Sequence, residues 1–427
     1  MHLLSSRRWG AAAASATALA LVLVGCSGEA DVTYTPPPQV DGALPEDTVA
    51  QMQAAVDNAI AASGSSGAIV GVWVPWRGEW VAATGTQAQG DDTPVSTDMS
   101  FRVADVTRLM TCDVLYGMAD DGLIELDASV PDYVSGVADL KDITLVDLCN
   151  GAGGIGSSEA KLKNAWLTTP ERVWSPLELA AFGIGQQASA PRTAYQDSDS
   201  GYLLLGLALE RASGMSASAL IDKYVTDPLE LERTRLPGAT AAAASDGPVM
   251  RGNHLPAVEG GYDCTAPIDV SVASASMGFT DSGAVSTIEE LGTYIQATAA
   301  QALRAEGAEP ARFGAPLPAA AGAPSWYQAT GGAFLVGSMI GQQGWTAGYA
   351  TSAYSDPATG FTVAVTLNNS ASGSSIAAYL AWELAAIASK VPAAEGQTAP
   401  EFGLPFTADQ YHATIAGIVT CAAPPAG

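Results

Sequence analysis

The residues best suited to chemistry fall in three short stretches. Asp105 and Arg108 stand three apart at the head of DVTRLMTCDVLYGMADDG, where helical spacing puts both on one face. Asp197-Ser198-Asp199 immediately precedes the apolar run Gly201–Arg211. Gln342 and Gly344 lie in GQQGWTAGY. A carboxylate such as Asp105 can attack as a nucleophile, and Ser198 or Ser200 can offer a hydroxyl. Arg108 can do neither job of a base, because a guanidinium stays protonated. An ion pair between Asp105 and Arg108, favoured by the helix dipole and accompanied by two solvated aspartates, is the plainer reading. Three carboxylates can also draw a cation or Ca²⁺, although the Asp and Gly spacing of a calcium loop is missing. No G-x-S-x-G occurs in the chain.

Composition narrows the setting. Arg7 and Arg8 precede an Ala/Leu/Val run from Ala11 to Val24, and Leu23-Val24-Gly25-Cys26 ends it. A charged start, a short apolar stretch and small residues before a cut describe a secretion signal over 1–25. The run is shorter than a membrane helix needs. Leu-Val-Gly-Cys resembles the bacterial lipobox, which implies lipidation at Cys26 and an extracytoplasmic protein anchored to the outer face of the cytoplasmic membrane through that lipid alone. Removing Arg7 and Arg8 takes the net charge from −26 to −28. Such an acidic body excludes nucleic acid and anionic lipid as partners. Four cysteines then remain, Cys112, Cys149, Cys264 and Cys421. An even count outside the cytoplasm permits two disulfides in any of three pairings. With only His254 and His412 left and no Cys/His cluster, no zinc site is expected, and nothing implies a metal or cofactor.

These residues need elements to hold them. Residues 26–45, with Tyr34-Thr-Pro-Pro-Pro, read as a stiff tether. Val49, Met52, Val56 and Ile60 give a helix over 46–62. GAIVGVWVPWRGEWVAATGT reads as a hairpin turning at Trp76-Arg77-Gly78. Residues of about 100–305 are mostly helical, with capping boxes expected at Ser175–Glu178 and Ser286–Glu289. Strands return at 347–356 and 361–367 around Asp356-Pro-Ala-Thr-Gly360, and Ser375–Val391 reads as an amphipathic helix. The pattern predicts a mixed α/β fold, an antiparallel sheet built from both ends of a 46–391 domain, with a helical lobe of about 105–305 inserted. Residues 392–427 form an extension.

Several blocks carry a resemblance in order and spacing. TDMSFRVADVTRLM at 97–110 is similar to a stretch that normally runs Phe-Arg-x-x-Ser-x-Thr-Lys. DITLVDLCNGAGGI at 142–155 resembles its Ile-Thr-x-x-x-Leu-Leu helix. PRTAYQDSDSGYLLLG from 191 resembles the block with Tyr-Ser-Asn, and GQQGWTAGYATSAYSDPATG at 341–360 resembles Gly-His-x-Gly…Asp-Pro. These blocks resemble the serine β-lactamase and penicillin-binding DD-carboxypeptidase family, in its class C-like branch, over about 100–370. The resemblance implies a β-lactamase/transpeptidase-like fold with a helical lobe beside the sheet. It also implies that the catalytic residues have been exchanged. Asp105 stands for the serine nucleophile, Arg108 for the lysine base, Asp197 and Asp199 for the tyrosine and asparagine, and Gln342 for the strand His or Lys, while Gly344 is kept.

Two readings follow. One is an inactive homologue that binds a cell-wall peptide, a small ligand or another protein. The other is a hydrolase of the DD-carboxypeptidase, β-lactamase or esterase type that works through Asp105, Ser198 or Ser200. The resemblance further implies that Asp105, Asp197, Asp199 and Arg108 converge in a cleft, with Trp326, Tyr327, Trp345 and Tyr349 as candidate walls. Cys112 and Cys149 fall on helices that pack together in the family, which implies their pairing and leaves Cys264 for Cys421.

Overall fold

The computed structural model describes residues 34–186, 189–401 and 403–422. The signal segment, Cys26 and the first part of the tether lie outside the described residues. No helix among the described residues is long and apolar enough to cross a membrane.

Helix α1 (Glu46–Ser63) leads into the hairpin β1 (Gly67–Val74) and β2 (Gly78–Gly85). The other strands follow far along the chain: β3 (Leu317–Pro318), β4 (Tyr327–Thr330), β5 (Ala333–Val336), β6 (Met339–Thr346), β7 (Tyr349–Ser355) and β8 (Thr362–Leu367). Together they form one eight-stranded sheet in the order β2-β1-β8-β7-β6-β5-β4-β3. Every pairing is antiparallel, and the β1–β8 pair (Ala68 opposite Leu367, Val72 opposite Val363) joins the two ends of the chain. The expected mixed fold with an antiparallel sheet is what forms.

Side-chain alternation explains why the sheet carries two cores. In β1, Ala68, Val70, Val72 and Val74 join one apolar cluster, whereas Ile69 joins the other. The first cluster is closed by α1 and by α8 (Ser375–Ala388); the second is closed by α7 (Ile288–Ala299) and continues into the helices between the strands. Trp73 lies against Gly71 and Gly292, where an added Cβ would come within 2.6 Å or less of its ring. The glycine on α7 therefore admits the indole that seats this helix on the sheet.

The intervening lobe contains α2 (Thr107–Asp120), α3 (Leu145–Cys149), α4 (Glu159–Thr168), α5 (Pro176–Ile184) and α6 (Asp199–Ser213). The disulfide Cys112–Cys149 joins α2 to α3, and Cys264–Cys421 ties the chain's last stretch to the loop before α7.

Several expectations change in detail. Residues at the end of the tether do not stand free: Val40 N donates to Pro75 O at 3.0 Å, Glu79 N donates to Gly42 O at 3.0 Å, and Leu44 is buried. Tyr34 packs against one of the two apolar clusters and Leu44 joins the other, so the segment is anchored at both ends. At α5, Ser175 is the N-cap residue but its side chain makes no capping bond; Glu178 turns instead to Arg172. The cap of α7 is Thr287, one residue later than expected, and its hydroxyl accepts from Glu290 N. Glu290 in turn accepts from Arg233 N and from the Thr234 hydroxyl, so a partner distant in sequence decides its role. Helix α8 is buried almost all round rather than amphipathic, because the sheet lies on one side while α1 and α9 (Ala408–Ala416) lie against others. Charge enters that packing once, where Glu383 meets His412 Nδ1 at 2.7 Å.

Candidate active-site cleft

Asp105 sits in a single 3₁₀ turn, Ala104–Val106, that runs into α2. The preceding Ala104 has φ 51°, a left-handed backbone that residues with a Cβ seldom adopt. This turn presses Asp105 against β6. A Cβ added to Gly344 would come within 2.2 Å of Asp105 Cγ, so only glycine lets the strand approach. β5 covers β6 only from Met339 to Gly341, which leaves Gln342–Thr346 as an edge beside the turn.

Arg108, the second residue of α2 and one turn beyond Asp105, is buried and organises the site. Its Nη2 lies 3.4 Å from Asp105 Oδ2, its Nη1 donates to Asp197 Oδ1 at 2.6 Å, and its Nε donates to Asp281 Oδ1 at 2.7 Å. The guanidinium carbon stands 4.9 Å from the centre of the Tyr202 ring, and Tyr202 is held by its own hydroxyl bond to Cys149 O at 2.8 Å. A planar fork with five donors can span three carboxylates, which a lysine ammonium cannot match in fixed directions. Asp105, Arg108, Asp197 and Asp281 thus form one interlocked set.

The electrostatics are lopsided. Burial, and then the neighbouring Asp281, Asp197 and Glu159, raise the Asp105 carboxyl well above the ordinary range despite Arg108. Burial also raises Asp281, to about 6, against the pull of Arg108. Arg108 is itself buried, which disfavours its charge, yet the three carboxylates hold it firmly protonated. The opposite demands are compatible because one cation faces three acids: it is held charged while the buried Asp105 and Asp281 resist losing their protons. A carboxylate nucleophile must be ionised, and this setting opposes that at Asp105.

Asp199 does not join the cluster around Arg108. It is buried and accepts from Ser158 N at 2.7 Å, Ser157 Oγ at 3.0 Å, Ser200 N at 2.7 Å and the Ser158 hydroxyl. It is therefore a fastening between the start of α4 and the start of α6, and the expectation of two solvated aspartates holds only for Asp197, whose side chain is 62% exposed. Ser198 donates to Gly156 O at 2.8 Å and caps α6, while Ser200 donates to Asp199 at 3.3 Å. Gln342 is buried, its amide donating to Gly332 O at 2.7 Å and its oxygen accepting from Gln343 N at 2.9 Å.

The open cleft beside Asp105 and Arg108 has Glu159, Trp166, Asp281 and Trp345 on its walls. Of the four aromatic residues expected there, only Trp345 lines it. Tyr349 is core, with its hydroxyl bonded to Met250 O at 2.7 Å. Trp326 and Tyr327 belong to the cluster around Trp382 and Phe406, on the far side of the sheet. Apolar packing claims them, as it claims most aromatics. Asp281, Glu159, Trp166 and Lys163 were not foreseen. Asp281 is 173 residues from its partner Arg108, and no local pattern marks it. Glu159 offered a weak signal as an acid in the first turn of a helix. Among the described residues no group of three or more His, Cys, Asp or Glu side chains is placed to hold a metal ion.

A family model described as "Beta-lactamase" matches residues 52–386. A D-stereospecific amidohydrolase from a Streptomyces species superposes with a TM-score of 0.64 at 21% identity, covering 75% of this chain and 94% of that one. An octameric penicillin-binding protein homologue from Pyrococcus abyssi gives 0.61 at 19%, covering 84% and 79%. These likenesses concern the fold. A probable fimbrial assembly protein of Dichelobacter nodosus, serogroup H1, is 28% identical over 138 residues, 31% of this chain and 34% of that protein. The chain thus spans about a third of the length of the curated relatives it matches.

Proposed function

The chain belongs to the β-lactamase family, and on that premise we propose that it is a lipid-anchored binding protein of the cell surface in which acyl-transfer chemistry has been given up. One observation supports the reading: Arg108, which the resemblance of its sequence block sets at the position of the family's base, is permanently charged and bound to Asp105, Asp197 and Asp281. A group that cannot release its proton cannot activate a nucleophile. The nucleophile position adds to this, since Asp105 is a carboxyl held back from ionising. Loss of a nucleophile alone costs on the order of 10⁶ in turnover in a serine hydrolase, and here the partners of that nucleophile have changed as well.

The anchor is Cys26, and the body stands outside the cytoplasmic membrane. Two disulfides suit that oxidising setting, and a fimbrial assembly protein among the relatives is in keeping with a surface role. The partner is a cell-wall peptide, a small ligand or another protein.

The test is direct. The protein is incubated with a reporter penicillin and with an activated ester, and its intact mass is measured. The unchanged mass is expected; a covalent acyl adduct at any residue would establish the hydrolase reading in its place. The lipid anchor is tested separately by the mass of the N-terminal peptide from membrane-extracted protein, where an unmodified Cys26 thiol would remove it.

A further inference from the structure

We propose that the cleft takes an organic ammonium ligand, seated on Trp345 among the cleft carboxylates, and that Lys163 occupies this place when no ligand is bound. The proposal rests on the reading of the cleft as a binding site.

The sign of the ligand's charge follows from the side chains present. Asp105, Glu159, Asp197, Asp199 and Asp281 surround or line the cleft, against the cations Arg108 and Lys163. Gln342, on the strand beside Asp105, is neutral, buried and committed to Gly332 and Gln343. Arg108 is likewise consumed by its three carboxylates. An anion entering here meets the Lys163 ammonium alone against five acids, whereas an ammonium takes the place that Lys163 already holds.

The seat is aromatic. Trp345 and Trp166 lie with ring centres 6.5 Å apart on the cleft wall. The Lys163 ammonium already stands over the Trp345 ring, 4.4 Å from its centre, within the range where an indole face attracts a cation. Lys163 is one helical turn from Glu159 on α4, so a short swing of its side chain frees the ring without moving backbone. Alkylated ammonium groups suit such a seat because they keep their charge while shedding water easily.

A second feature sets the rest of the ligand. Trp166 is about nine-tenths buried, lines the cleft, and its indole N–H has no partner among the described residues. A buried donor left unpaired costs free energy that a ligand oxygen can recover. The class is therefore an alkylammonium carrying a hydroxyl or carbonyl oxygen, for which choline is a compact probe.

The full chain is titrated calorimetrically with choline, with its neutral isostere 3,3-dimethylbutan-1-ol, and with acetate. Choline is expected to bind at least tenfold more tightly than either control. Lys163→Ala is expected to tighten choline by about threefold to tenfold, because the resident ammonium no longer competes. Trp345→Phe is expected to weaken it several-fold while keeping the packing, and Trp345→Ala to abolish it. Equal binding of choline and its neutral isostere, tighter binding of acetate, or no effect of Lys163→Ala each overturns the proposal. Absence of choline binding to Lys163→Ala does so too. The acylation measurement stays independent: an acyl adduct with choline bound removes the binding-only reading and not this ligand class, and no adduct with no choline bound removes this ligand class alone.

Discussion

Replacing Asp281 by Asn is expected to stabilise the protein at neutral pH, although it deletes a charge bonded to Arg108. The Asp281 carboxyl is raised from 3.8 to about 6, chiefly by burial. At about 1.4 kcal/mol per pH unit, ionising it in the folded state costs roughly 3 kcal/mol. A raised folded pKa gives stability that is complete below the unfolded value near 4 and is lost as pH climbs through 6. The wild-type protein therefore sheds roughly this amount between pH 4 and pH 7. Asn cannot ionise and can still accept from Arg108 Nε, so Asp281→Asn should match wild type at pH 4 and exceed it by up to about 3 kcal/mol at pH 8. Asp105 adds in the same direction, since Asp281 is among the groups that oppose its ionisation. Urea denaturation at pH 4, 6 and 8 reads the difference as a rise in midpoint of up to about 1 M for a slope of about 3 kcal/mol/M. A variant less stable than wild type at pH 8, or a difference that does not change with pH, would refute the reasoning. Either result would mean that the ionised Asp281–Arg108 pair is a net source of stability.

Three further outcomes follow from the geometry. Asp199→Ala strips five hydrogen bonds and leaves buried Ser158 N and Ser200 N unpaired, for an expected loss of about 2–4 kcal/mol, whereas Asp197→Ala, at an exposed carboxylate, should cost about 1 kcal/mol or less; equal losses in thermal melts would contradict the separate roles assigned to them. Gly344→Ala places a methyl against Asp105 and should cost about 1–3 kcal/mol through overpacking, so an unchanged denaturation midpoint would mean that β6 and the Asp105 turn are not in contact. Joint replacement of Cys112 and Cys149 by Ser opens a link across 37 residues, worth about 4 kcal/mol of unfolded-state entropy; a loss below about 1 kcal/mol would show that packing alone holds α2 to α3.

The legible part of the site was its local part. Asp105 and Arg108 lie three residues apart, so helical geometry alone announces their ion pair, and the structure forms it. Gly344 was legible as a kept glycine, though not its reason, which is the Asp105 carboxyl beside it. The disulfide pairings came from resemblance rather than from spacing, which left three choices open. Asp199 misled because a side chain written beside Asp197 points elsewhere: α6 begins at residue 199, and the turn of the chain sends the two carboxyls to different partners. Capping at 286–290 slipped by one residue for a similar reason, since Glu290 answers Arg233 and Thr234 rather than its own helix.

By itself the sequence determined what depends on near neighbours and on the order of blocks. It established the hairpin at Trp76–Gly78 and the antiparallel mixed fold, and its resemblance to the family implied that the reactive groups at 105, 108, 197, 199 and 342 are exchanged. Tertiary structure alone decided what these residues do. It brought Asp281 across 173 residues to complete the ring of acids around Arg108. It also withdrew Asp199 and Gln342 into hydrogen bonds, sent Tyr349, Trp326 and Tyr327 into apolar packing, and set Lys163 over Trp345. The physical reason is that charge and burial act through space: a carboxyl's partner and its proton depend on what surrounds it in the fold, and those neighbours are not its neighbours in the chain.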